Sequence, residues 1–250
     1  ITRSQQGYQD QQQWQDGAIS WHSSGSHWSS QLSGKRSIRF ASLFERFGNR
    51  GLLRANANLK AELAHSVHWH GQLTLAQQTW RLDLFQRWLQ DAIVPVYDAR
   101  GIGRYENTQA ARMQGLEGQW QSSPWSLGHW QLTTQLSISR YRSKTQSDIK
   151  AFEQQQLAGI YHQQLQAQMS LQGPSQQLQL SYELADDLYL DRANLVAGDP
   201  RRLWHAHYRF HTPSWQAGLR INNLSDARYR DFSNRPARPR DWLAYVTLHY

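Results

Sequence analysis

Period-two alternation runs along most of this chain and limits its fold more than any other property. The last nine residues show it clearly: Trp242, Ala244, Val246, Leu248 and Tyr250 form an apolar set, interleaved with Leu243, Tyr245, Thr247 and His249. Successive side chains of a strand point to opposite faces of its sheet, so one side of this segment meets an apolar medium along its whole length. The division recurs upstream. Ile19 and Trp21 oppose Ser20 and His22; Val67, Trp69, Gly71 and Leu73 oppose His68, His70 and Gln72; Leu132, Leu136 and Ile138 oppose Gln131, Gln135 and Ser139. Leu165, Ala167, Met169 and Leu171 alternate with Gln164, Gln166, Gln168 and Ser170, which fits a period of two better than 3.6. The pattern predicts roughly eleven strands and no convincing helix.

The polar set decides what the apolar set faces. Gln, Ser, Thr, His, Arg and Glu occupy one side of strand after strand, and a soluble sandwich or barrel would have to bury them. Each unpaired amide or hydroxyl so buried costs about 1–3 kcal/mol. A wet lumen removes that cost and turns the apolar side toward lipid. Apolar residues make up 39% of the chain and mean hydropathy is −0.78. No run approaches the roughly 18 apolar residues of a membrane helix, but a membrane barrel strand carries a much fainter signal. Twelve Trp and eleven Tyr suit side chains with one end apolar and one end wet. On this reading Trp204 and Trp242 stand near the outer rim, and Trp80, Trp120, Trp130 and Trp215 near the inner one.

Connection lengths alternate as well. Short turns fall at 122–128, 173–175 and 211–214, and long polar segments at 45–64, 90–109, 143–160, 190–202 and 223–241. Short turns on one rim and long loops on the other predict an all-β, antiparallel transmembrane β-barrel with periplasmic turns and extracellular loops. Residues 1–16 are Gln-rich and patternless, a loop or ragged end; the barrel wall occupies 17–250. The chain begins without Met or an apolar leader, which suggests processing or a start inside a longer polypeptide.

The net charge of +8 is carried by Arg residues scattered through loops, with no basic helix or aromatic-basic motif, which argues against nucleic acid as a partner. The expected counterparts are anionic lipid headgroups, lipopolysaccharide or an anionic small molecule. Tyr97, Arg100, Arg104, Tyr105, Arg192, Arg201, Arg202, Arg230 and Arg235 form a loop inventory suited to carboxylate, catecholate or phosphate groups. His68 with His70, and His205 with His207, have the spacing to place two imidazoles on one metal. A third ligand and its supporting shell are missing from the sequence, so no metal or other cofactor is expected. His22-Ser-Ser-Gly25 leaves open a small closed outer-membrane barrel enzyme of phospholipase type, and the tryptophans leave open a soluble all-β carbohydrate-binding module.

Several loop segments resemble the TonB-dependent outer-membrane receptors. Asn223-Leu224-Ser-Asp226-Ala-Arg-Tyr229 is similar to the family's Asn-Leu-x-Asp-x-x-Tyr, and Arg240 stands where the family places the Arg before its last strand. Arg39-Phe-Ala-Ser-Leu-Phe-Glu45 resembles Arg-x-Pro-x-x-x-Glu, and Asn56-Ala-Asn-Leu-Lys-Ala-Glu62 resembles Asn-Pro-x-Leu-x-Pro-Glu, with Asp91-Ala-Ile93 and Gly115-Leu-Glu117 in order between. Family prolines are replaced by Ala41, Ala57 and Ala61, and the last loop reads Arg238-Pro239, which loosens loops and leaves strands alone. The terminal Tyr250 resembles the family's barrel-insertion signal. The resemblance implies the C-terminal half of a barrel of about 22 strands, with the plug and coupling segment elsewhere. It also implies uptake of a scarce nutrient such as an iron-siderophore, haem or cobalamin, with no bond chemistry. The partners it implies are the TonB energy-transducing complex, reached through that plug, and the rest of the barrel.

Overall fold

The computed structural model describes residues 2–4, 13–49, 53–98, 102–230 and 235–248. Eleven long strands form one antiparallel meander: β1 Gly17–Ser24, β2 Trp28–Arg39, β3 Glu62–Leu75, β4 Gln78–Tyr97, β5 Gly103–Gln121, β6 Trp130–Gln146, β7 Gln163–Gln172, β8 Gln176–Asp186, β9 Arg201–His211, β10 Trp215–Asn222 and β11 Asp241–Leu248. Each pairs with its sequence neighbours, and among the described residues β1 and β11 do not pair with each other. Short additions are Leu53–Arg54, parallel to the start of β5, and Trp125–Leu127 against β6. Thr2–Ser4 and Gln13–Gln15 form a separate two-stranded ribbon.

The pairing register keeps the two faces apart. Trp21, Leu32, Trp69, Leu84 and Leu116 lie in one cross-strand row. The adjacent row reads His22, Gln31, His70, Asp83, Glu117, Ser139 and Gln164. A slip of one residue would exchange these faces throughout the sheet. The apolar face is uncovered: Ile19 is 80% exposed, Trp21 62% and Val246 69%. An apolar surface of this extent, backed by a polar one, suits lipid on one side and water on the other.

The strand connections are short at one end, at 25–27, 76–77, 122–129, 173–175 and 212–214. Ala76 and Gln77 adopt φ values of 47° and 62°, the left-handed pair that a two-residue hairpin needs to match strand twist. Trp80 stacks near Trp120 at 5.5 Å and Phe210 near Trp215 at 5.3 Å at this end. Tyr182 meets Trp204 at 4.7 Å toward the other.

The segment 90–109, expected as a long polar loop, is mostly strand. β4 continues to Tyr97 and β5 starts at Gly103, leaving 98–102 as the connection. Ala92, Ile93 and Val94 are 1%, 7% and 4% exposed, and the loop residue Leu157 is buried in one cluster with Ala92 and Val94. Asp91, at φ 52°, interrupts the alternation, so that Leu89 and Ala92 enter the same cluster with Val94, Ala111 and Leu157. Apolar packing from loops distant in sequence thus makes a hairpin out of a polar-looking stretch. The expectation of no helix also needs a small correction. Leu43–Phe47 forms α1, closed by a capping box in which Ser42 Oγ accepts from the Glu45 N–H and Glu45 Oε2 accepts from the Ser42 N–H.

Candidate functional site at the loop rim

The long-connection rim is built around two polar clasps. In the first, Arg39 at the end of β2 donates to Glu45 Oε1 at 2.8 Å, to both Glu62 oxygens at 3.4 Å and to the Ile93 carbonyl at 3.3 Å. Glu62 Oε2 also accepts the Ile93 N–H at 2.9 Å. Partial burial disfavours the Glu45 carboxylate, but the hydrogen bonds from Arg39 and Ser42 outweigh it and hold its pKa below the ordinary 4.5. Asn56 Nδ2 donates to the Tyr105 carbonyl at 2.8 Å, and Asn107 Oδ1 accepts the Lys60 N–H at 2.9 Å, stitching the loop 40–61 to the β4–β5 hairpin. Arg39, Glu45, Glu62 and Ile93, spread over 55 residues of sequence, therefore meet in one place.

The second clasp joins the exit of β10 to the start of β11. Asn223 is 4% exposed, and its amide both donates to the Ala227 carbonyl at 2.9 Å and accepts the Ala227 N–H at 2.8 Å. Leu224 N–H donates to the Trp204 carbonyl at 2.7 Å. Asp226 Oδ1 accepts the Arg240 N–H at 2.9 Å, while the Arg240 guanidinium reaches the Leu224 carbonyl at 3.5 Å. The Tyr229 carbonyl accepts the Ala237 N–H at 2.9 Å. Asn223 and Asp226 each hold φ at 51°, a conformation short polar side chains tolerate better than most.

The loop cations fall into different settings. Arg104 and Arg192 converge on one carboxylate, Glu106, at 2.5 and 3.0 Å, and the Arg192 guanidinium lies 4.5 Å from the Phe152 ring centroid. Arg201 pairs with Glu183 and sits 5.4 Å over Tyr161, whereas Arg202 stands 4.0 Å from Asp186 and is largely exposed. Tyr105 packs edge-on to Phe44 at 6.4 Å; burial, and then the nearby Glu45 charge, push its hydroxyl pKa up. The Tyr97 N–H donates to the Leu190 carbonyl at 3.1 Å. Arg230 N–H donates to Asp199 Oδ2 at 2.8 Å and bridges to Pro236, beside the exposed Arg235. Arg100 and Tyr250 lie outside the described residues. The structure thus gathers Tyr97, Arg104, Tyr105 and Arg192 about one hairpin and leaves Arg201 and Arg202 at the start of β9, with Arg230 and Arg235 in the last loop.

The paired histidines have separate partners. His70 Nδ1 meets Asp83 at 2.7 Å, His68 stacks on Phe85 at 5.5 Å, His205 is 3.9 Å from Glu183 and His207 is 3.1 Å from the Tyr245 hydroxyl. No group of three His, Cys, Asp or Glu among the described residues could hold a metal ion. His22 and Ser23, successive on β1, point to opposite faces of the sheet.

Glu106 and Asn194 escaped the sequence reading. Asn194 ties the loop 187–200 to the loop 147–162, its amide accepting the Gln156 N–H at 2.6 Å and donating to the Gln156 carbonyl at 3.1 Å. His162, fully buried, is 2.6 Å from Ser143 Oγ, which itself accepts the Leu157 N–H. No local signal marks these residues, whereas Ser42-x-x-Glu45 is a legible capping box.

An antiparallel wall, apolar and uncovered on one side, polar on the other, with interlocked long loops at one rim, defines the outer-membrane class of β-barrel. Residues 8–248 match the family model described as TonB dependent receptor-like, beta-barrel. The chain belongs to this family of outer-membrane receptors. Solved structures of the same fold include the copper transporter OprC, with 14% identity, a TM-score of 0.71 and coverage of 95% of this chain and 40% of that one. The siderophore receptor PiuA from Acinetobacter baumannii gives 17%, 0.70, 94% and 35%, and the ferric yersiniabactin uptake receptor FyuA from Yersinia pestis gives 14%, 0.69, 95% and 36%. The chain spans at most about 40% of the length of these three receptors. No curated protein matches it.

Proposed function

We propose that this chain is the C-terminal part of the barrel wall of a bacterial outer-membrane receptor that takes up a scarce nutrient with energy from a TonB-type complex. The plug that couples to that complex and the other part of the wall belong to regions outside this segment. This chain contributes eleven strands, a polar lumen wall and part of the extracellular rim, and it carries out no bond chemistry. The observation that carries the reading is the union of an uncovered apolar face, held in one register across the meander, with a rim closed by Arg39–Glu45–Glu62 and Asn223–Asp226–Arg240.

The rim suits an anionic ligand, such as a metal chelate bearing carboxylate or catecholate oxygens. Arg104 and Arg192 share a single carboxylate, Glu106, and Arg104 is the more open of the two. Arg202, Arg230 and Arg235 add candidates at neighbouring loops. The names of the similar structures, which include a copper transporter and siderophore receptors, agree with a metal-bearing cargo. The test is uptake of radiolabelled ferric siderophores and of copper by cells carrying the complete receptor, with and without the energy transducer. Transducer-dependent uptake that falls at least tenfold in an Arg104→Gln/Arg192→Gln variant supports the reading. A chain found in the soluble fraction, with gel migration unchanged by heating, overturns it.

A further inference from the structure

On the loop rim Arg39, Arg104, Arg192 and Arg201 have carboxylate partners, whereas a group of cations on the outer face of the wall has none among the described residues. Arg36, His65, Trp88, Arg112 and Lys144 form a single cross-strand row over β2 to β6. Arg142 and Arg140 lie two and four residues below Lys144 on β6 and share its face. That face is the one bearing Leu84, Leu116 and Ile138, since Arg140 is registered with Leu116 and Leu116 with Leu84. The five Arg and Lys residues are exposed, and no ion pair among the described residues engages any of them. The Arg112 guanidinium instead lies 6.0 Å from the Trp88 ring centroid and donates to Gln86 at 3.2 Å. Arg112 and Lys144 are direct cross-strand neighbours, a like-charge pair that is unfavourable without an anion between them.

Height along the wall gives these cations a meaning. Trp88 stands ten residues up β4 from Gln78, Arg140 ten residues up β6 from Trp130, and Arg112 nine residues from the lower end of β5. A tilted strand crosses the hydrocarbon layer in about 9–11 residues. The cations therefore sit where the apolar face ends and headgroups begin. Arg140 and Arg142 themselves line an open groove of about 600 Å³, in the same cross-strand rows as Trp69, Leu84 and Leu116 and as Val67, Gln86 and Gln114.

We infer that this patch docks a phosphate-bearing lipid of the outer leaflet, its phosphates held by Arg112, Arg140, Arg142 and Lys144 and an acyl chain lying in the groove. Guanidinium forks match phosphate oxygens in pairs. Continuity of the cations with an apolar groove selects a lipid over a free anion. The inference rests on the reading of this face as membrane-exposed.

The test uses the complete receptor in neutral detergent, with a diphosphorylated, acylated glucosamine disaccharide as probe, the same lipid stripped of phosphate as its control, and inorganic phosphate as competitor. At about fivefold per cation, R112Q/R140Q/R142Q is expected to weaken binding of the phosphorylated lipid at least tenfold, while Lys60→Gln leaves it unchanged. Equal binding of the stripped lipid, full displacement by millimolar inorganic phosphate, or wild-type affinity in the triple variant overturns the site. Heat-modifiable migration is read in parallel, and its absence from the wild-type protein overturns the membrane reading itself. If the triple variant alone lacks it, R140Q and R142Q decide, each losing several-fold in affinity if the site is real and nothing if it is not.

Discussion

The backbone N–H of Arg240 donates to Asp226 Oδ1 at 2.9 Å, so the last loop is fastened at its base by two residues fourteen positions apart. Asp226 holds φ at 51°, and its side chain and backbone are both used. An exposed charge-assisted bond of this kind contributes about 1 kcal/mol. Asp226→Ala is therefore expected to speed amide exchange of Arg240 several-fold by hydrogen-exchange mass spectrometry. Asp226→Gly, which tolerates the positive φ, should lose the bond but less of the turn.

Asn223 is buried and uses both ends of its amide on Ala227. Asn223→Ala removes both bonds and leaves two backbone groups unsatisfied at a positive φ, a change expected to cost about 2–4 kcal/mol. Its check is the thermal midpoint of unfolding in detergent, with Asn223→Gly falling between wild type and Ala.

The Arg39 clasp makes the rim acid-sensitive. Glu45 has a folded pKa below its ordinary value, so its contribution is present above that value and is lost as pH falls through the folded one. Proteolysis of the loop 40–61 should be slow at neutral pH and accelerate at pH below about 4.5. Glu45→Gln should give faster cleavage at pH 7 and remove most of that pH dependence.

Gly159 adopts φ 76°, and a Cβ there would lie 2.4 Å from Pro95 Cγ. Gly159→Ala combines left-handed strain with a clash, and should loosen the loop 147–162 from the β4–β5 hairpin by about 1–3 kcal/mol. The measurement is exchange of the Tyr97 and Gly159 amides, both bonded across loops.

The two faces of the wall should respond oppositely to charge. Leu84→Arg, on the apolar side, is expected to cost about 2–4 kcal/mol of folding free energy in lipid. Gln166→Arg, in the polar row of β7 opposite Glu183, should be nearly neutral. Folding equilibria in vesicles of one composition distinguish them.

The wall was legible because alternation is local. Trp21, Trp69 and Leu84 fall on one face from their spacing alone, and the structure places them in one row. The resemblance supplied Arg39, Glu45, Glu62 and Ile93 as separate motifs, but only the fold shows them as one clasp. The stretch 90–109 defeated pattern reading, since what turns Ala92 and Val94 into buried residues is Leu157, more than sixty residues away. The loop cations were visible as a composition, while two of their pairings cross long sequence distances, Arg192 to Glu106 on β5 and Arg201 to Glu183 on β8. Alternation likewise gave the outer face as apolar without revealing that Arg112, Arg140 and Lys144 close it at the top.

Leu89, Ala92, Val94, Ala111 and Leu157 form a buried cluster at the rim, where apolar groups are shielded by protein instead of by an outside medium. Its cohesion does not depend on the bilayer. When the protein leaves its membrane, the staves below lose their solvent while the collar above carries its own oil. Extraction should therefore soften the molecule from its turn end upward, with the long loops the last to let go.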